Sequence, residues 1–330
     1  YYRKEFNILD IKNNKVTKII GRTSAINISN IGGTEEIARF LINLESADVV
    51  QEESIDAKKL IQLVRSNGNK LILLGASKLF IIKILIISSI FSNIAHIEYI
   101  KTSNKTNSKD LFIRFILLHF FKKINVTDLD GNYFSTFEES RRNTIDISAL
   151  INSNLINSQH DNVNNNLEDR KFDIGYIGRI DREKGFFNAL DILSNKKLNN
   201  FAKSMDLLLW DTPEELEIIS KLKKEQNILG IKFKFTEKTS NSLPNYQNMK
   251  AVLLPYKNFD STIRIPLVIF EALKAGCLVF LPEWIKRDEE IISIINEFNK
   301  INKIFNNIFF YKSDANDCIN IIKAELDKLS

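Results

Sequence analysis

The segment from Lys250 to Glu283 reads KAVLLPYKNFDSTIRIPLVIFEALKAGCLVFLPE. Its first apolar run, 251–254, has the length of a buried parallel strand. Pro266 favours the start of a helix and Gly276 its end, and apolar residues recur at helical spacing between them. The run 278–281 predicts the next buried strand. The segment therefore predicts strand, loop, helix and strand, the repeating unit of an α/β protein with a largely parallel sheet.

The loop of this unit has the composition of an anion site. Small polar residues, Ser261 and Thr262 among them, precede the helix. Free amide groups and the helix dipole at such a position attract negative charge. Glu271 lies about one and a half turns into the helix. Its carboxylate could reach a ribose hydroxyl while a phosphate sits at the helix start, so the segment predicts a nucleotide site.

A second phosphate-binding pattern stands earlier in the chain. A strand predicted at 172–177 is followed by GRIDREKG, residues 178–185, and then by a helix with apolar residues on one face. Ligands of open parallel sheets bind at the carboxyl ends of the strands, so Arg179 and Lys184 should converge on a ligand there. A guanidinium and an ammonium suit a diphosphate. In isolation, a charged surface turn would explain these residues better.

Together the two motifs resemble those of the nucleotide-sugar glycosyltransferases with the GT-B fold, most closely the large retaining family four. Residues 266–276, PLVIFEALKAG, are similar to the P-x-x-x-x-E-A-x-x-x-G signature, and residues 178–185 are similar to the diphosphate-binding loop. The resemblance implies two Rossmann-like domains whose mostly parallel sheets face a central cleft. It also implies sugar transfer, with retention, from a nucleoside diphosphate sugar to a glycan or lipid-linked acceptor in bacterial surface-polysaccharide or glycoconjugate assembly.

The same resemblance assigns roles to individual residues. Arg179 and Lys184 would grip the diphosphate and take part in catalysis, and Glu271 would hold the ribose. Backbone amides in the loop before the helix would assist in binding. The residues around these amides are Thr262, Arg264 and Ile265.

One position departs from the pattern of the family. The motif is Glu-x7-Glu, and Glu271 matches its second acid, but Ile263 stands at the position of the first. In the family the first glutamate lies close to the transferring sugar, so the motif leaves the sugar half of the site open. Asp260 or Arg264 could supply a polar contact instead. A catalytically silent accessory subunit of another glycosyltransferase is therefore the alternative function.

Two residues of the N-terminal half are further candidates. Gly33 ends a glycine pair ahead of the helix predicted at 36–44, and the resembled family carries a Gly-Gly-x-Glu loop facing the cleft. A helix-entry turn explains the pair equally well. His96 lies at the end of the strand predicted at 94–97, and related transferases carry a histidine near the sugar at about this point. A histidine satisfied in the core or at the surface is an equal alternative.

Length and composition predict two domains. A chain of 330 residues is at the size limit of a single packed core. Residues 152–170 are polar and asparagine-rich with no apolar period, as in a linker. They separate an acceptor-side domain, 1–151, from a nucleotide-sugar-binding domain, 171–314. The C-terminal helix, within 315–330, is expected to cross back onto the first domain, as is common in GT-B proteins.

Several other partners and classes are disfavoured. The net charge of +5 is mild, and no compact basic run indicates nucleic acid. No G-x-G-x-x-G follows a predicted strand, which argues against a dinucleotide enzyme, while a GT-B epimerase stays open. The Asp-Leu-Asp at 128–130 is more typical of a turn, so no metal ion or other cofactor is expected. Cys277 and Cys318 lack metal spacing, and Cys277 is expected to be buried.

The hydrophobic region 71–95 is interrupted by charged and small residues, so it is predicted to be core and not a membrane span. The opening residues lack the pattern of a signal peptide, which favours a cytoplasmic location. A helix predicted at 111–123 is apolar nearly all round and carries basic residues such as Arg114. It could rest on an anionic inner membrane face. Packing on the sheet is the alternative, and His119 is expected in the core.

Overall fold

The computed structural model describes residues 16–22, 33–91, 94–101, 108–121, 124–128, 134, 136–144, 167–209, 212–236, 246–259, 266–302, 307–312 and 314–329. Contacts between Cα atoms divide the chain into two compact units, the first mainly residues 34–145 and the second mainly 146–330. The predicted linker lies largely outside the described residues. The boundaries of the predicted domains therefore stay a prediction.

The first unit is built on a six-stranded parallel sheet with the order β2-β1-β3-β4-β5-β6. The strands are β1 (Thr17–Gly21), β2 (Asp48–Gln51), β3 (Lys70–Leu74), β4 (His96–Ile100), β5 (Asn125–Asp128) and β6 (Arg142–Thr144). The helices are α1 (Gly33–Glu45), α2 (Ala57–Arg65), α3 (Lys78–Ile90) and α4 (Ser108–His119). Helices α2, α3 and α4 all contribute to one core cluster with the strands. These three helices therefore cover the same face of the sheet.

Helices α3 and α4 are apolar on both sides. Ile84 of α3 and Leu117 of α4 are fully buried in the core. Large apolar side chains point the other way, each at least 50% exposed: Leu79, Ile86, Ile90, Leu111, Phe112, Phe115 and Phe120. His119 lies on this outer side, with its ring 4.6 Å from that of Phe115. Its predicted place in the core is wrong, because a helix that is apolar all round does not show which side meets the sheet.

The region 71–95 forms β3, α3 and the approach to β4, as predicted. The buried side chains of α3 pack on the sheet. Among the residues that the structure describes, no helix combines the length and hydropathy needed to cross a membrane.

The second unit is also built on a six-stranded parallel sheet, with the order β12-β11-β10-β7-β8-β9. The strands are β7 (Phe172–Arg179), β8 (Lys203–Leu208), β9 (Lys232–Thr236), β10 (Met249–Leu253), β11 (Leu278–Pro282) and β12 (Ile308–Tyr311). The helices are α5 (Phe186–Leu193), α6 (Pro213–Leu229), α7 (Leu267–Lys274), α8 (Glu289–Asn302) and α9 (Ala315–Leu326). The strand–loop–helix–strand unit predicted within 250–283 is confirmed as β10, α7 and β11.

Helix α9 packs on the core of its own unit. Its side chains Cys318, Ile319, Ile322 and Leu326 are buried against the second sheet and α5. Strand β12, which the sequence did not predict, lies at the edge of this sheet and pairs with β11. The helix therefore completes the second unit, and its predicted crossing to the first domain stays a prediction.

Candidate functional site

The strand order of the second sheet fixes where a ligand can bind. From β7 the chain proceeds outward to β8 and β9 on one side, and from β10 to β11 and β12 on the other. Strands β7 and β10 are parallel neighbours, so their carboxyl ends meet where the order reverses. In open α/β sheets the crevice at this point is the usual ligand site. The loops that follow β7 and β10 carry the two motifs found in the sequence.

The loop after β7 is held in shape by Asp181. One carboxylate oxygen of Asp181 accepts the backbone N–H groups of Glu183 at 2.7 Å and Lys184 at 3.2 Å. Its other oxygen pairs with the Arg179 guanidinium at 3.6 Å. The backbone oxygen of Arg179 accepts the hydroxyl of buried Tyr176 at 2.9 Å. Both the turn and its arginine are thus fixed before a ligand arrives.

Lys184 is a partly buried cation at this loop. Burial, and then the nearby Arg179 guanidinium, lower the pKa of its ammonium to about 8, against opposing effects of Asp181 and Glu271. The structure therefore brings Arg179 and Glu271 within electrostatic reach of Lys184. A lysine held beside another cation in a partly buried place is stabilised by an anionic ligand, because the ligand restores favourable electrostatics to both groups.

The two loops meet at Gly185. Its φ of +79° is left-handed, and a Cβ there would lie 1.8 Å from the backbone oxygen of Pro255. The N–H of Lys257 also donates to the backbone oxygen of Glu183 at 2.9 Å. Only glycine permits this approach. The glycine at the end of G-R-x-x-x-x-K-G therefore lets the loop after β7 rest directly on the loop after β10.

Aromatic side chains support the loop after β10. The ring of Phe259 lies 5.5 Å from that of Tyr256 and 4.8 Å from that of Trp284. The indole N–H of Trp284 donates to the backbone oxygen of Tyr256 at 3.0 Å. This cluster fixes the chain just before residues 260–265. The predicted contacts at Thr262, Arg264 and Ile265, and the position of Ile263, lie outside the described residues.

Glu271 belongs to α7 and is bonded to a buried tyrosine. The hydroxyl of Tyr246 donates to Oε2 of Glu271 at 3.1 Å, and Tyr246 is fully buried. Burial, with Glu271 as the next cause, raises the pKa values of both Tyr246 and Tyr256 above the usual tyrosine range. Both phenols therefore stay protonated beside the carboxylate. Sequence reasoning singled out Glu271 but gave neither tyrosine a role.

A buried arginine braces the base of α7. Arg170 donates to the backbone oxygen of Met249 at 2.7 Å and to that of Ala275. Its guanidinium also lies 3.3 Å from the sulfur of Cys277, and burial raises the pKa of this thiol to about 11. Cys277 is buried, as predicted. Arg170 therefore fixes the position of the end of α7 relative to the start of β10.

A pocket of about 660 Å³ lies between the loop after β7 and the start of α6. Arg179, Arg182 and Phe187 line it on one side, and Glu214 and Glu217 of α6 on the other. Helix α6 is fixed by a capping box in which Thr212 and Glu215 exchange hydrogen bonds. The carboxylates opposite the arginines make this pocket unsuited to a second anion. Arg179 lines this pocket and is also the last residue of β7.

His96 does not occupy the position that was predicted. Strand β4 runs from His96 to Ile100, so the histidine is the first residue of the strand and lies at its amino end. Its ring is 3.2 Å from the amide of Asn125, and its side chain is exposed. Ligands bind at the opposite, carboxyl edge of such sheets. The strand was predicted at 94–97, and this error in its bounds removes the reason for a catalytic role.

Gly33 is the first residue of α1, the helix that follows β1. The helix begins three residues earlier than predicted, and the proposed place of the glycine pair at the cleft stays a prediction. Among the residues that the structure describes, no three His, Cys, Asp or Glu side chains are grouped in a way that could hold a metal ion. That the protein needs no metal ion or other cofactor stays a prediction.

The same fold is found in solved glycosyltransferases. HepE of Anabaena, in complex with UDP and glucose, is similar with a TM-score of 0.56 and 13% identity, over 94% of this chain and 89% of its own. Sucrose-phosphate synthase of Thermosynechococcus elongatus is similar with a TM-score of 0.57 and 12% identity, over 96% of this chain and 90% of its own. An alpha-glucosyltransferase in complex with UDP and a 13-mer DNA is similar with a TM-score of 0.52 and 11% identity, over 96% of this chain and 95% of its own.

Such low identities establish the fold alone. The chain has the GT-B fold, and the predicted fold class is confirmed. No protein-family model matches the sequence, and neither does any curated protein. Membership of family four therefore stays a prediction.

Proposed function

We propose that the protein is a glycosyltransferase that moves a sugar from a nucleoside diphosphate sugar to a glycan or lipid-linked acceptor. The observation that carries this proposal is the contact between the loop after β7, which holds Arg179 and Lys184, and the loop after β10, which leads to the helix of Glu271. Two cations and a carboxylate at a sheet switch point match the charges and hydroxyls of a nucleoside diphosphate. The GT-B fold shared with enzymes bound to UDP supports the same class of ligand.

In this proposal each residue acts on one part of the donor. Arg179 and Lys184 bind the diphosphate and neutralise the charge that grows as the nucleotide leaves. Glu271 accepts hydrogen bonds from the ribose. The amides around Thr262, Arg264 and Ile265, next to the start of α7, assist at the phosphates. Because two side chains already supply positive charge, the proposal requires no metal ion, and EDTA should leave donor binding unchanged.

We further propose transfer with retention, as in the resembled family, in bacterial surface-polysaccharide or glycoconjugate assembly. The bond from the anomeric carbon to the diphosphate breaks, the acceptor oxygen bonds to that carbon on the same face, and the acceptor proton passes to the leaving phosphate. The protein then contributes mainly position and charge neutralisation. The base that the titration below identifies selects the sugar donors and acceptors to be tried in the transfer assay.

The test is a calorimetric and thermal-shift titration with UDP, GDP, ADP and TDP, followed by turnover with the matching sugar donors. We expect one diphosphate to bind in the micromolar range and to raise Tm progressively, by an amount that grows with the logarithm of its concentration above Kd. Its base then names the donor class for a transfer assay, in which the anomeric configuration of the product reports retention. If no diphosphate binds at millimolar concentration, the proposal fails.

A catalytically silent accessory subunit is the second candidate, favoured by Ile263 in place of the first glutamate. It predicts weak or no nucleotide binding and no turnover with any donor. An epimerase with the same fold would instead convert the nucleotide-sugar without an acceptor. Product analysis with and without acceptor separates the three.

The pH dependence of binding tests the role of Lys184. Its lowered pKa, about 8, means that the empty site loses this positive charge as the pH rises through 8. An anionic ligand then has to bind together with a proton, so the affinity should fall by up to about tenfold per pH unit above this value. Calorimetry between about pH 7.5 and 9 measures the slope, a range in which phosphate ionisation, with a pKa of about 6, is complete. Lys184→Met should bind more weakly and lose the slope, and an unchanged slope in that variant would contradict the assignment.

We also propose that the protein is cytoplasmic and contacts the inner membrane face through helices α2, α3 and α4. Seven large apolar side chains project from the outer side of α3 and α4, counting Phe120 just after the end of α4. Helices α2 to α4 contain seven lysines or arginines and one acidic residue, Asp110. Apolar and cationic side chains on one surface suit an anionic bilayer. The like charge opposes pairing of this surface with a second copy.

Vesicle flotation tests this contact. We expect binding to vesicles of phosphatidylcholine with phosphatidylglycerol, weaker binding to phosphatidylcholine alone, and a loss of more than about tenfold in Phe112→Ser/Phe115→Ser/Phe120→Ser. The control variant changes three apolar residues of the second unit that are also exposed. These residues are Leu216, Ile228 and Ile301, at 56%, 85% and 56%. Equal flotation of the two variants would show that α4 makes no specific contact.

A further inference from the structure

The hydrogen bond between Tyr246 and Glu271 joins two parts of the second unit that lie far apart in sequence. Tyr246 precedes β10 and Glu271 lies in α7, a separation of 25 residues. The Tyr246 ring is 0% exposed, while Glu271 keeps partial exposure. The tyrosine is thus a fixed buried donor, and the carboxylate that it holds still faces outward.

The support around Tyr246 is itself rigid. The sulfur of Cys277 lies 3.3 Å from the backbone oxygen of Tyr246 and 3.4 Å from that of Met249. Arg170 binds the same Met249 oxygen at 2.7 Å and the end of α7 at Ala275. The donor and the helix that carries its acceptor are therefore tied to one buried frame. A side chain fixed by such supporting contacts can hold its partner in a single rotamer.

We propose that Tyr246 is the positioning residue that aims the Glu271 carboxylate at the ribose and so selects ribonucleotides. This inference rests on the proposed donor site. An ionised carboxylate offers about four lone-pair positions, and the phenol takes one of them. A carboxylate that accepts from the phenol can therefore also accept from ribose hydroxyls. Tyr246 itself, fully buried, makes no contact with ligand and acts through Glu271.

The orientation matters because a carboxylate free to rotate must be ordered when the ligand binds. Ordering a side chain on binding costs affinity, and a carboxylate already held by a phenol avoids that cost. Its lone pairs are also fixed in direction, so a ligand lacking one hydroxyl leaves an acceptor unpaired. Sites built in this way discriminate most strongly against the analogue without the hydroxyl.

The experiment uses calorimetry on the full chain to compare the nucleoside diphosphate that binds in the titration above, written here as UDP, with its 2′,3′-dideoxy form. Wild type should prefer UDP. Tyr246→Phe keeps the ring and removes the donor, so UDP affinity should fall by about tenfold while dideoxy-UDP affinity stays unchanged. The same substitution in a Glu271→Ala background should have no further effect, because the two residues act as a unit.

Tyr311→Phe is the matched control, since Tyr311 is a buried tyrosine of the same unit, 5% exposed, on edge strand β12. It should leave the preference for UDP intact. If Tyr246→Phe weakens both nucleotides equally, or weakens UDP further in the Glu271→Ala background, its role is structural and the inference is overturned, although the donor site stands. If wild type binds UDP without preferring it to the dideoxy form, the ribose role of Glu271 fails as well. If wild type binds no nucleotide, the proposed function falls with the inference.

Discussion

The double variant Arg179→Ala/Lys184→Ala is expected to lose nucleoside diphosphate binding by about hundredfold or more. A hydrogen bond to a charged group contributes on the order of 1.5–3 kcal/mol, and two such groups are removed together. The loss should be larger than for either single change, because both side chains are proposed to bind the diphosphate. Calorimetry with the diphosphate that binds wild type measures the difference.

A charge-matched control separates the site from general electrostatics. Lys196 and Lys197 are exposed, follow α5 in the same unit, and carry the same two positive charges. Lys196→Ala/Lys197→Ala should change affinity by less than about twofold, since exposed charges away from a ligand are screened by salt. Equal losses in the two double variants would mean that Arg179 and Lys184 attract the nucleotide only through net charge, and the diphosphate site would be abandoned.

Replacing Gly185 by alanine is expected to produce the largest loss of stability. The new Cβ would lie 1.8 Å from the oxygen and 2.5 Å from the carbon of the Pro255 carbonyl, so the obstacle is backbone and cannot rotate away. The left-handed conformation adds its own cost for a residue with a side chain. Strain and overpacking together should lower the free energy of unfolding by about 3 kcal/mol. Tm should fall by roughly 6–12 °C.

Comparison with Gly230→Ala isolates the part of the stability loss in Gly185→Ala that is due to the close approach of Gly185 to Pro255. Gly230 ends α6 with φ of +62°, yet an added Cβ would meet only the Lys203 side chain, at 3.7 Å. That variant carries the backbone strain without the collision and should cost about 1 kcal/mol. Thermal unfolding of both variants gives the comparison. If the two lose the same stability, the contact between the loops is not tight, and the loops after β7 and β10 do not support one another.

Local patterns in the sequence predicted most of the second unit. Pro266 and Gly276 bound α7 closely: the structure has Pro266 as its N-cap and turns at Gly276 with φ of +74°. The glycines of residues 178–185 likewise marked a turn at the end of a strand. These signals act between neighbouring residues, and the backbone geometry that they favour does not depend on the rest of the fold.

Contacts between residues far apart in the chain could not be predicted from local sequence patterns. The contact of Gly185 with Pro255 depends on β7 and β10 being neighbours although the chain forms two other strands between them. The contact of Tyr246 with Glu271 depends on how α7 packs against the segment that precedes β10. Asp181 was part of the motif, but its role in holding Arg179 appears only in the folded loop. Each of these contacts depends on the folded path of the chain, which sequence periodicity does not specify.

The sequence by itself determined that the chain alternates strands and helices, that two cations and a carboxylate follow strand ends, and that the protein has the GT-B fold. Tertiary structure decided which edge of the sheet each residue reaches. A shift of two residues in the start of β4 moved His96 to the amino edge, and packing left one apolar side of α4 outside the core with His119 on it. The physical reason is that hydrophobic periodicity reports how much surface a segment can bury, whereas its partners are set by the path of the whole chain.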